Sequence, residues 1–222
     1  KSVFQQLNTK YLLSMHWGWY RPNMPDIPFI DFHFAAPGIL SFKSDKNVTR
    51  FEFCSRTFVP SFFEVGNLEK EFDILNISNS GRHKNVKEFL HVIRMLYDRK
   101  RFFKVLLICS NFNKDANRLR CYVELLDDYH NLFNEEERKL IKILLPQSKG
   151  TLFGLSQETI SQYYQKSKVF TLFTDLEGHA RVISEAMVSG LPVVVKKHLK
   201  GGGRDYLNDN NSVQFSTIEE AA

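Results

Sequence analysis

Cysteine is scarce in this 222-residue chain: it has three, Cys54, Cys109 and Cys121, and no pair is spaced as C-x-x-C. An odd, widely spaced set suggests neither a disulfide framework nor a zinc site, so reduced thiols are expected. Long apolar runs are missing as well. Runs such as Val105–Cys109 and Leu191–Val195 fall far short of the ~18–20 residues a membrane span needs. The first residues lack the charged-then-apolar pattern of a secretory leader, and a cytoplasmic protein is expected. No internal repeat or low-complexity tract is visible. No G-x-G-x-x-G follows the strand pattern Phe72–Ile77, which disfavours a dinucleotide-binding oxidoreductase.

What the chain does have is apolar mass. Hydrophobic residues make up 43% and aromatics 14%, with 20 Phe, enough to build a core of ordinary size. Thirty basic against 25 acidic residues leave a formal charge of +5. An excess of that size fits a phosphate-bearing ligand or peripheral contact with an anionic membrane, and is too small and dispersed to argue for nucleic acid. The cluster Arg99-Lys100-Arg101 ends a helical pattern, where cations complement the helix C-terminus. The N-x-S/T triplets at Asn47, Asn76 and Asn210 are read as chance, since Asn76 falls inside an expected buried strand and a cytoplasmic chain is not glycosylated there.

From Phe72 onward, short apolar runs alternate with helical periodicity, the signature of an α/β, Rossmann-like parallel sheet flanked by helices. Strands are expected at Phe72–Ile77, Phe103–Cys109, Thr151–Phe153, Val169–Phe173, Val193–Lys196 and Ser212–Phe215. Val86, Phe89, Leu90, Ile93, Leu96 and Tyr97 predict an amphipathic helix over 85–99. A second helix follows through Leu119, Val123, Leu126 and Tyr129, and a charged helical piece over 135–145. Ser156 is placed to cap a helix running to Lys166, and Ala180–Ser189 forms a helix stopped by Gly190. Residues 1–60 differ in character, with Trp17, Trp19 and Tyr20 among Pro22, Pro25, Pro28 and Pro37. They are read as a partial N-terminal segment, the end of another domain or a linker, and 61–222 as one domain. A chain that starts at Lys1 and stops within a helix start at 217–222 is expected to be a fragment of a longer protein.

In such a sheet, ligands bind at the carboxyl ends of the strands. After Val169–Phe173 comes a run with Glu177 in a loop and Glu185 in the following helix, seven residues between them. The amides of Gly178 to Val182 open that helix and can hold phosphate. The two carboxylates can accept hydrogen bonds from sugar hydroxyls on either side of it. An acidic residue beside a helix N-terminus is also favourable with no ligand at all.

The run EGHARVISEAMVSGLPVVV, followed by GGGRDYLNDNNSVQF, resembles the signature of retaining glycosyltransferases of family 4 (group 1), with the two-Rossmann-domain GT-B architecture. FDILNISNSGRHKNVKEFL looks like that family's strand, phosphate-binding loop and helix start, and VLLICS like its second strand. The resemblance covers 61–222 and implies the nucleotide-sugar-binding, donor half of the fold.

By that resemblance, Glu185 holds ribose hydroxyls of the nucleotide, and Glu177 contacts the donor sugar and helps stabilise developing positive charge. Lys84 meets the diphosphate, and the backbone of Gly178, His179, Ala180, Arg181 and Val182 cradles diphosphate and sugar. Two departures stand out. The family's arginine five positions before the lysine falls on Asn79, leaving Arg82 or Arg181 to supply the charge, and Phe-Gly-Leu is replaced by His179-Ala180-Arg181. Ala180 in place of glycine leaves less room for a close backbone approach. The implied activity is transfer of a sugar from a nucleotide-sugar donor to a glycan, lipid or small-molecule acceptor with retention of configuration. No Asp-x-Asp lies near this edge, and neither a metal nor another cofactor is expected. The rivals are a non-catalytic nucleotide-sugar sensor or scaffold, which Asn79 favours, and a sugar-nucleotide epimerase of the same architecture.

Overall fold

Aliphatic runs, bounded by polar turns, become buried strands in the computed structural model, which describes short strands within residues 13–50 and then residues 60–63, 65–110, 116–145, 154–204 and 207–222. In the first part, β1 (Leu13–His16), β3 (Phe32–Ala35) and β5 (Val48–Arg50) form one small parallel sheet. Between them in sequence, β2 (Arg21–Met24) and β4 (Leu40–Phe42) form a second.

The main sheet has six strands: β6 (Phe72–Asn79), β7 (Val105–Ser110), β8 (Ile141–Leu144), β9 (Ser167–Leu172), β11 (Val193–Lys196) and β13 (Ser212–Phe215). Their order is β13-β11-β9-β6-β7-β8 and every neighbouring pair is parallel. This is the Rossmann-like α/β fold that the sequence predicts. All six residues of β7 are buried, as expected for a strand covered on both faces. The short pair β10 (Leu176–His179) and β12 (Lys200–Gly202) stands apart from the sheet.

Helices α1 (Val86–Asp98), α2 (Ala116–Leu132) and α3 (Glu135–Arg138) connect the first strands, α4 (Gln157–Gln165) and α5 (Arg181–Val188) the next, and α6 (Ile218–Ala221) follows β13. The apolar side chains sort into two clusters. One holds α1, Leu125, Phe133 and Phe215; the other holds Ile160 and Tyr164 of α4, Ile183 and Ala186 of α5, and Phe63 of the 3₁₀ turn Pro60–Phe63. Every apolar position that predicts α1 is buried, and so is Val92. Ser156 caps α4, accepting from Thr159 N at 3.2 Å, and Gly190 follows α5 with φ +76°. Among the described residues, no helix is long and apolar enough to cross a membrane.

Three expectations are corrected, and one falls outside the described residues. The charged helix expected over 135–145 stops at Arg138, after a capping box in which Asn134 and Glu137 exchange hydrogen bonds, and Ile141–Leu144 pairs with β7 instead. A four-residue apolar alternation is too short for periodicity to separate from a helix tail, and the edge of β7 decides it. Glu177, expected in a loop, lies on β10. The Gly-rich stretch after Leu199, expected as a turn, supplies β12, and Glu177 faces Gly201 across the pair. The strand expected at Thr151–Phe153 lies outside the described residues.

Candidate functional site

Strand order reverses between β6 and β9, with β7 and β8 running out on one side and β11 and β13 on the other. Ligands of open α/β sheets bind at that point, outside the carboxyl ends of the strands. The loop after β6 is shaped by its polar residues. Asn79 Oδ1 accepts from Gly81 N at 2.9 Å, a 3₁₀ turn spans Arg82–Lys84, and Asn85 takes the left-handed conformation (φ 50°, ψ 39°) before α1. Asn tolerates that conformation better than most side chains. Its amide Nδ2 donates to Phe173 O at 3.1 Å and Asp175 Oδ2 at 2.7 Å, so it ties this loop to the one after β9.

Asp175 is the hub of the second loop. Its backbone N–H donates to His83 O at 3.2 Å, its carbonyl accepts from Lys200 N at 2.9 Å, and its carboxylate meets Lys196 Nζ at 2.8 Å. Lys196 also pairs with Glu88 at 2.7 Å. Burial pushes the Asp175 carboxyl upward, but the hydrogen bonds from Lys196 and Asn85 outweigh it and hold it below the ordinary carboxylate range. Burial lowers Lys196, and its two carboxylate partners more than reverse that.

This frame brings Lys84 and Glu177, 93 positions apart, into a direct ion pair, with each side chain only 11% exposed. Glycine is required opposite Glu177. A Cβ built on Gly201, where φ is +92°, would lie 1.7 Å from Glu177 O. One turn into α5, Glu185 is buried at 2% exposure. Arg181 Nε donates to its Oε1 at 2.9 Å, and the hydroxyl of Tyr164, a fully buried residue, lies 3.1 Å from its Oε2 and 3.0 Å from Val182 O. Burial raises the Glu185 carboxyl above its ordinary value, against the pull of Arg181 and Tyr164. Burial first, and the neighbouring Glu185 second, raise Tyr164 well above the phenol range.

The residues singled out in the sequence thus fall into groups. Lys84 and Glu177 meet, and Arg181 meets Glu185. Asn79 is turned onto its own loop. Arg82 is exposed and lines a cavity of about 290 Å³ between α1 and α2 with Lys87, Cys121 and Glu124. Gly178 and His179 lie on β10, with the His179 backbone opposite Gly202. Ala180 is buried in the core and its N–H donates to Gly202 O at 3.0 Å. A Cβ on Gly203 would come 2.7 Å from the Ala180 methyl. The α5 start has no side-chain cap and no acidic residue in its first turn. Tyr164, Asp175, Asn85 and Lys196 escaped the sequence reading. Nothing in their local patterns marks them, because each acts through a partner at least 18 positions away. Among the described residues, no group of three or more His, Cys, Asp or Glu side chains is placed to hold a metal ion.

A model of the family described as "Glycosyl transferases group 1" matches residues 60–221. Among solved structures, the chain is similar to TarM, with 14% identity, a TM-score of 0.65 and coverage of 97% of this chain and 43% of that one. It is similar also to sucrose-phosphate synthase from Thermosynechococcus elongatus (14% identity, TM-score 0.62, 86% of this chain and 47% of that). A third is the pneumococcal O-GlcNAc transferase GtfA, solved with UDP and GlcNAc (14% identity, TM-score 0.57, 86% and 37%). At such identities the likeness shows the fold, that of GT-B glycosyltransferases, and this chain spans less than half the length of each. No curated protein matches the sequence.

Proposed function

The chain belongs to the group 1 glycosyl transferases, and from that premise we propose that residues 61–222 are the donor half of a retaining, nucleotide-sugar-dependent transferase of family 4. The meeting of Lys84 with Glu177 at the sheet's switch point, beside the start of α5, supports it. As the bond between sugar and diphosphate breaks, negative charge grows on the leaving diphosphate. Lys84, Arg181 and the backbone amides of Arg181 and Val182 at the start of α5 stabilise it, whereas Gly178 and His179, expected to open that helix, lie on β10 and the Ala180 N–H is held by Gly202 O. Arg82 is a second candidate cation in the Lys84 loop. Glu177 faces the sugar and stabilises positive charge at its anomeric carbon, and Glu185 accepts from the ribose hydroxyls. In this scheme side-chain cations carry the charge that a bound metal carries in other transferases. The acceptor, a glycan, lipid or small molecule, binds a second domain to which residues 1–60 belong, and the protein works in the cytoplasm or at its membrane face.

Because one of the similar structures holds UDP, UDP leads the panel for the test, followed by GDP, ADP and CDP. Calorimetry should find one that binds, and Glu185→Ala should weaken it, since a carboxylate on ribose acts in ground and transition states alike. Unchanged affinity would remove the assignment. A second reading, a nucleotide-sugar sensor without turnover, is favoured by Asn79, which stands where the family has arginine and whose side chain is engaged with Gly81 N. Release of free nucleoside diphosphate from a labelled nucleotide sugar by the full-length protein separates the two.

A further inference from the structure

Both carboxylates of the acidic motif already hold a cation from this same chain. Lys84 sits on Glu177, and Arg181 sits on Glu185. The second pair is the more restrictive. The Glu185 side chain is 3% exposed and that of Arg181 is 20% exposed, so Arg181 is the outer partner of the pair. Glu185 Oε2 is meanwhile taken by the Tyr164 hydroxyl from within the core. A ribose cannot reach so deeply buried a carboxylate while the guanidinium stays on Oε1. Yet Arg181 is the first residue of α5, the helix end to which the proposed function brings the diphosphate. A guanidinium leaving Glu185 there has an anion within a side chain's reach, and Arg pairs with phosphate as readily as with carboxylate.

We infer, resting on the proposed function, that Arg181 is a gate on the ribose site: the diphosphate draws its guanidinium off Glu185, and ribose hydroxyls then replace it. Lys84 makes the parallel exchange, from Glu177 to the diphosphate. The consequence is an ordered specificity. A nucleoside without phosphates meets a blocked carboxylate, while a nucleoside diphosphate opens its own site. Arg181 is therefore a specificity-determining residue, one that stands at a position where the family pattern has an apolar Leu.

The gate makes phosphate and nucleoside binding positively coupled, and coupling between two ligands is reciprocal. Inorganic pyrophosphate should therefore raise the affinity of the 222-residue chain for the nucleoside (uridine, if UDP leads the panel) by on the order of tenfold, the worth of one charge-assisted hydrogen bond. Arg181→Leu should bind that nucleoside about tenfold more tightly without pyrophosphate and show no coupling. Arg181→Gln, which keeps a donor for Glu185 and loses the charge, should leave the nucleoside weak and the coupling small. Absence of coupling in the unsubstituted chain overturns the gate even if neither variant folds, and so does an Arg181→Leu variant whose nucleoside affinity and coupling match the parent's. Either result with UDP still binding leaves the donor-site reading standing and makes the Arg181–Glu185 pair a fixed brace. A chain that binds none of the four nucleoside diphosphates overturns both.

Discussion

Burial raises the Glu185 carboxyl above its ordinary value although Arg181 and Tyr164 pull the other way. A carboxyl raised in the folded state binds its proton more tightly there than in the unfolded chain. Its ionisation therefore removes stability as pH rises from the ordinary carboxylate value through the raised one, and the loss is complete above that. Glu185→Gln should accordingly raise the unfolding temperature at pH 7, with the gain fading as pH falls below the ordinary carboxylate range. Thermal scans across a pH series check this, and a gain independent of pH would contradict it. A stabilising change that weakens nucleotide binding is what a site held against its own stability should give. Lys84 presents the opposite case, a partly buried cation beside a carboxylate. If it meets the departing diphosphate, Lys84→Ala should lower the turnover of the full-length protein about 100- to 1,000-fold, roughly 2.7–4 kcal/mol of transition-state stabilisation, read as nucleoside diphosphate released from the donor. A chelator should leave that turnover unchanged. Loss of activity in chelator, restored by a divalent ion, would replace the proposed side-chain chemistry with metal chemistry.

At the scale of elements, the site depends on a short strand pair outside the main sheet. Glu177 is held by the pairing of β10 with β12, and that pairing requires Gly201 because a Cβ there would fall 1.7 Å from Glu177 O. Gly201→Ala should lower stability by at least about 1–2 kcal/mol for the left-handed backbone alone. It should also shift Glu177 away from Lys84, so that turnover of the full-length protein falls further than nucleotide affinity. Denaturant melts and titration of the same variant measure the two parts, and a variant with parental turnover would show that β12 does not position Glu177. The loops after β6 and β9 are fastened by polar contacts among Asn85, Asp175 and Lys196. Those contacts fix the backbone on either side of the Lys84–Glu177 pair.

Across the whole molecule, every residue assigned to the donor lies between Asn79 and Glu185, within the span the family model matches, while the chain covers 43% of TarM's length. The 222-residue chain should therefore bind a nucleoside diphosphate in calorimetry yet transfer no sugar at a useful rate, because the proposed function assigns the acceptor, and the closure that excludes water, to a second domain. Robust transfer by this chain would place an acceptor site within it. Local pattern alone determined the parallel α/β sheet, since strands buried on both faces read as unbroken aliphatic runs and α1 carries its apolar stripe at helical spacing. It also determined where to look, because the spacing of Glu177 and Glu185 about a helix start is written within nine consecutive residues. Only the tertiary structure decided the partners. Whether Ile141–Leu144 is a helix tail or a strand depends on the edge of β7 beside it, and whether the Gly-rich stretch is a turn or a strand depends on Glu177 across from it. Arg181 and Glu185 stand four apart on α5, so their pairing follows from helix geometry. That Tyr164 holds Glu185 from beneath could not be read from order along the chain, because the α4 phenol and the α5 carboxylate are 21 positions apart and meet only when both helices pack into the same core cluster.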